Sequence, residues 1–206
     1  MADAGKLASE LITRAEIASR VLVAIAGAPG SGKSTLAANL CEELKRHGQS
    51  AVVVPMDGFH FDDAILNARG DRARKGAPHT FDVASLAVLL KRIKSREPDV
   101  AIPLFDRTLE LSRAAAAVVS SHEKFILVEG NYLLLKSPPW SSLRPLFDFT
   151  VMLDVPEVEL RRRLTGRILE HGHDESFAAH WIETNDMPNA RTVIGNSMEA
   201  DIFLPN

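Results

Sequence analysis

The chain has 206 residues, 46% hydrophobic and 25% charged, with 24 Lys and Arg against 27 Asp and Glu. This is the make-up of a soluble globular protein, long enough to bury a full core as a single domain over 1–206. The net charge of −3 and the single cysteine, Cys41, argue against a general nucleic-acid binder, a disulfide framework and a cysteine-rich zinc site, and no apolar run approaches the roughly 18–20 residues that membrane insertion needs.

The polar N-terminus has no signal-peptide centre, which with the lone thiol points to a reducing, cytoplasmic setting. Leu7, Leu11, Ile12, Ala15 and Ala18 recur at near-helical spacing, so residues 3–19 are predicted as an amphipathic lead-in helix. Val21 to Ala26 is short, continuously apolar and followed by glycine, as a strand covered on both faces reads. Lys33 to His47 is helical in period through Leu36, Leu40 and Leu44 and closes at Gly48. Ala51 to Pro55 is a second buried strand, which completes a βαβ unit with a right-handed crossover. Met56 to Thr80 turns polar around Gly58, Gly70 and Gly76 and gathers Arg69, Arg72, Arg74 and Lys75, the pattern of a long functional loop. Asp82 to Ser95 is helical. Phe125 to Glu129 and Phe149 to Leu153 are two further buried strands. Pro156 opens a helix over Glu157 to Glu170, and Ala200 to Leu204 reads as a last strand.

Between the first strand and its helix lies Gly27-Ala28-Pro29-Gly30-Ser31-Gly32-Lys33-Ser34, a full match to G-x-x-x-x-G-K-[ST], followed by Thr35. Its glycines let successive N–H groups converge on phosphate oxygens, and the helix adds its positive N-terminal end. Lys33 is expected to reach the β- and γ-phosphates of ATP, and the Ser34 hydroxyl to ligate Mg²⁺. The expected fold is therefore α/β, a P-loop NTPase of three α/β/α layers with a mostly parallel central sheet and a helical lid.

P-loop proteins either hydrolyse nucleotide or pass phosphate to an acceptor. Transfer needs a carboxylate at the acceptor hydroxyl and cations on the moving phosphoryl group. Asp57 directly follows the second strand and Glu129 ends the third, both at the edge where open α/β sheets bind ligands. Either acid can also be read as a plain turn or helix-capping residue; their shared position favours the functional reading.

Met56-Asp57-Gly58-Phe59-His60, then Arg74-Lys75-Gly76-Ala77-Pro78 leading to Phe81-Asp82, resembles the family that contains pantothenate kinase, uridine kinase and phosphoribulokinase. Pro103-Leu104-Phe105-Asp106-Arg107 and Val128-Glu129-Gly130 look like later motifs of the same series. Asn185-Asp186-Met187-Pro188-Asn189-Ala190 looks closest to its bacterial fructose transport system kinase branch. The resemblance implies an ATP- and Mg²⁺-dependent kinase that phosphorylates an alcohol of a small polar metabolite such as a sugar, nucleoside or pantothenate-like acceptor. Asp57 would be the general base, Glu129 the acid near Mg²⁺, Asp82 a holder of sugar hydroxyls, and Asp106 with Arg107 part of the acceptor lining. His60 is a further candidate contact.

Arg161, Arg162, Arg163 and Arg167 follow the fourth strand, and Arg163 with Arg167, four apart, share a helix side. As lid arginines they would stabilise transition-state charge. The family's R-R-x-x-R-D spacing is not kept here, which leaves the register open by one residue. Other features take plainer readings: His171-Gly172-His173-Asp174 as a polar lid turn, Phe177 and Trp181 as core, and Cys41 as packing. The basic stretch from Arg69 to Lys75 reads as a solvated mobile loop. A regulatory NTPase with no small-molecule acceptor is the rival function. The sequence leaves the acceptor's identity and a homodimer open.

Overall fold

The computed structural model describes residues 4–206; Asp3, the first residue of the expected lead-in helix, lies outside them. Five parallel strands form the main sheet in the order β2-β5-β1-β6-β7: β1 is Val21–Gly27, β2 Ala51–Pro55, β5 Phe125–Gly130, β6 Phe149–Asp154 and β7 Ile202–Pro205. Side chains alternate across a strand, and here both faces are covered. Val21, Val23 and Ile25 of β1 pack with Phe125 and Leu127 beneath helices α1 (Ala4–Arg14) and α2 (Lys33–Arg46). Leu22, Ala24 and Ala26 join Ile126 and Val128 in the core beneath α4 (Val83–Lys94) and α5 (Glu157–Glu170). Double burial is why these strands read as unbroken apolar runs. The three-layer α/β expectation stands. The lead-in helix ends earlier than 19, at Arg14, and Cys41 packs in α2 with its thiol donating to the Ala51 carbonyl at 3.3 Å.

Three segments differ from the sequence reading. The stretch 56–80 is not one loop: it holds α3 (Asp63–Arg69), capped by Asp62 and stopped at Gly70, and three short 3₁₀ turns. Its basic run is solvated only in part: Arg69 is exposed, while Lys75 is buried. Arg72 and Lys75 both bind Asp63, each at 2.7 Å, and Lys75 also donates to the Glu110 carbonyl at 2.6 Å. Residues 100–119 form an antiparallel hairpin, β3 (Val100–Asp106) and β4 (Leu111–Val119), with an irregularity between Ile102 and Leu104 beside Pro103. After α5 come α6 (Glu175–Trp181), a π-helical turn over Ile182–Asp186, and α7 (Met187–Asn196).

Candidate active site

Every element of the site reaches the C-terminal edge of the sheet. β1 ends at Gly27 and the chain turns into α2 through Gly32, whose φ of 88° is a left-handed conformation that glycine adopts at little cost. No acidic side chain occupies the first turn of α2, so the converging N–H groups and the helix dipole present an uncompensated positive end. The Lys33 ammonium makes no hydrogen bond or ion pair with the described residues and lines the adjoining cavity of about 260 Å³.

Ser34 donates to Glu129 Oε2 at 3.1 Å. Glu129 sits in β5 between Pro55 of β2 and Ile25 of β1 and is only 7% exposed. Burial pushes its carboxyl pKa up, and the nearby Lys33 and Ser34 oppose that rise. A hydroxyl beside one carboxylate fits Mg²⁺, which is commonly held by one or two carboxylates together with substrate phosphates and water. Among the described residues no cluster of three His, Cys, Asp or Glu offers an all-protein cage instead.

Asp57 lies in a 3₁₀ turn, Met56–Phe59, straight after β2. Gly58 is pressed so closely on the Pro103 carbonyl that a Cβ there would collide, which locks this turn to the hairpin. The Asp57 carboxylate consequently faces the same cavity as Lys33. Arg107, from the hairpin turn, donates to Asp57 Oδ2 at 2.8 Å. Beneath them His60 donates from Nδ1 to the Asp57 carbonyl at 2.8 Å, with its ring 4.0 Å from that of Phe81 and 4.8 Å from that of Phe105. Burial lowers the His60 pKa, so the neutral ring is favoured.

The sequence candidates do not all converge. Lys33, Asp57, His60, Arg107 and Arg167 line the cavity. Arg163 does not: it binds Glu159 at 2.7 Å and the Ser31 carbonyl at 3.3 Å, and borders a separate groove with Gly30, Gly32 and Thr35. Asp82 is also outside the cavity, because its two oxygens accept from the Ser85 N–H at 3.0 Å and the Ser85 hydroxyl at 2.6 Å as the cap of α4. Asp106 is held by the Thr108 and Leu109 N–H groups, both at 3.1 Å, and orders the hairpin turn that presents Arg107. Asp82→Ala should therefore cost about 1 kcal/mol of stability, as cap loss does, and leave the acceptor KM within about twofold; thermal melts and initial rates check both.

Lys75, Asn131 and Asp186 are among the cavity residues to which the sequence assigned no role. Asn131 follows Glu129-Gly130 past a buried strand, so strand-end position was the available signal. Phe177 corrects another expectation. It is 41% exposed rather than core, stacked on His173 at 4.2 Å and on Trp181 at 6.0 Å, beside a second cavity that also takes in Arg107 and Arg167. Asp174, of the polar lid turn, caps α6 by accepting from the Phe177 N–H at 2.7 Å.

A phosphate loop after β1 and an acid after β2, opening onto one cavity at the same edge of the sheet, define the class of P-loop kinases that act on small molecules. Residues 22–206 match the Phosphoribulokinase / Uridine kinase family, and the chain belongs to it. It is 38% identical over 196 residues to a Schizosaccharomyces pombe protein named "Putative uridine kinase C227.14", covering 90% of this chain and 83% of that one. It is 33% identical over 191 residues to the uridine kinase of Shewanella frigidimarina, covering 90% and 87%. Among solved structures, a "putative fructose transport system kinase" from Silicibacter sp. TM1040 superposes with a TM-score of 0.94 at 40% identity, covering 98% of this chain and 99% of that one. The chain is an ATP-dependent small-molecule kinase.

Proposed function

We propose that the chain transfers the terminal phosphoryl group of ATP, with Mg²⁺, to a hydroxyl of a small polar metabolite, and that it does so in a cytoplasmic setting as one catalytic domain whose segments 58–80 and 160–190 face substrate. The observation that carries this reading is that Lys33, beyond β1, and Asp57, beyond β2, line one cavity at the same edge of the sheet, on either side of β5. Asp57 accepts the proton of the attacking hydroxyl, and Arg107 holds its carboxylate in place. Lys33 and Arg167 balance charge on the transferring group. Arg163, on the other side of the phosphate loop, is placed for the rest of the nucleotide rather than for the moving phosphorus. Ser34 and Glu129 would hold Mg²⁺, which when bound offsets phosphate charge. Catalysis is then mostly placement and neutralisation.

The test is ADP release by purified protein with ATP and Mg²⁺ against D-fructose, D-ribose, glycerate, uridine and pantothenate. A rate that rises saturably with one of them is expected. ADP formed at one rate whatever is added would support the regulatory NTPase.

A further inference from the structure

Asp186 stands where an acid usually caps a helix, at the start of α7, yet it caps nothing. A capping residue needs extended backbone so that its side chain can turn back to the first N–H groups. Here the π-helical turn over Ile182–Asp186 runs straight into α7, and Asp186 has helical φ and ψ of −68° and −44°. Inserted π turns of this kind commonly re-aim side chains at functional sites. The carboxylate is released from capping, and Asp186 lines the cavity that holds Lys33 and Asp57.

Once there it is poorly matched by the protein. Asp186 is 7% exposed, its Oδ1 lies a loose 3.9 Å from Arg167, and its Oδ2 has no hydrogen-bond donor among the described residues. Asn131 Oδ1, lining the same cavity, is likewise buried without a donor. Buried acceptors are rarely left unmatched, and each such group costs stability. Two of them on residues that line one cavity point to a ligand that brings donors. An ammonium is the wrong donor, because Lys33 and Arg167 already place positive charge at this carboxylate. Hydroxyls fit. Asp82, the acid the resemblance assigns to sugar hydroxyls, does not line this cavity.

We propose that Asp186 determines acceptor specificity: its carboxylate accepts a hydrogen bond from a second, non-reacting hydroxyl of a polyol while Asp57 engages the reacting one. The acceptor class is then compounds with at least two hydroxyls, not simple alcohols. This rests on the kinase reading above.

The experiment uses whichever of the five probes wild type phosphorylates, together with its deoxy analogues lacking one hydroxyl in turn. Asp186→Ala should raise the acceptor KM about 10- to 100-fold, the range for a hydrogen bond to a charged group, and leave the ATP KM within about twofold. Asp186→Asn, which keeps an acceptor oxygen, should recover part of that loss. One deoxy analogue should be penalised in wild type and not in Asp186→Ala. The melting temperature of Asp186→Ala should stay close to that of wild type, because the one ion pair lost is the loose 3.9 Å contact with the half-exposed Arg167. An unchanged acceptor KM, a deoxy penalty that persists in the variant, or a lowered melting temperature with equal losses for both substrates would overturn the proposal and leave the kinase standing. No acceptor-dependent ADP from wild type with any probe would overturn both.

Discussion

Asp57→Asn lowers the acceptor-dependent turnover by about 10²-fold or more, the usual worth of a positioned general base, and leaves nucleotide affinity nearly unchanged. The amide keeps the shape of the carboxylate and still accepts a hydrogen bond from Arg107, so the turn over Met56–Phe59 is not disturbed. What is lost is the capacity to take the hydroxyl proton. The fold should barely notice. The Asp57–Arg107 pair is 2.8 Å long, but the arginine side chain is 67% exposed, and pairs so open to water contribute little, about 0–1 kcal/mol. Steady-state rates at saturating ATP, nucleotide titration and a thermal melt separate these effects. A variant that turns over at the wild-type rate would remove Asp57 from the chemistry.

The experiment is informative because Asp57 was legible in the sequence as a position as well as a residue type. Strands buried on both faces must be apolar throughout, so β1, β2, β5 and β6 announced themselves, and with them the ends where Asp57 and Glu129 stand. The phosphate loop was equally open to reading, since its glycines answer a local backbone demand.

The acceptor side was not. The β3–β4 hairpin is half-exposed, rich in alanine and broken at Pro103, and it offers neither a clean period nor a continuous run. Helix α3 buries only Leu66, too little for a periodic signal, although Asp62 and Gly70 marked its ends. Asp82 was placed by motif at the acceptor; the structure puts both oxygens on Ser85. In the lid the π turn shifts the helical period between α6 and α7, so no fixed spacing could tell that Asn185 and Asp186 would turn inward. The burial of Asp186 is produced by tertiary packing, and its sequence neighbourhood shows only a polar stretch before a proline. The two lid arginines likewise share a helix side in sequence, yet Arg163 is drawn to Glu159 and Ser31 while Arg167 faces Asp186.

Lys33→Met should produce the other large loss, of a different kind. Lys33 makes no hydrogen bond or ion pair with the described residues in a cavity bordered by Arg107 and Arg167, and feels Glu129 and Asp186 only at a distance, so its ammonium stays available to a phosphate. Removing one preorganised donor to a developing oxyanion typically costs about 10²–10³-fold in turnover, and an ammonium that also meets the ground-state phosphates should take nucleotide affinity down with it. Methionine fills much the same volume as the lysine stem and breaks no hydrogen bond, while the buried Glu129 and Asp186 lose a nearby positive charge, so the melting temperature without nucleotide should fall only slightly. The two variants therefore divide: Asp57→Asn loses turnover with ATP binding intact, Lys33→Met loses both. Nucleotide titration followed by single-turnover phosphoryl transfer distinguishes them. Undiminished ATP affinity together with an unaltered transfer rate in Lys33→Met would mean that the loop over 27–34 does not cradle the phosphates in the way its geometry implies.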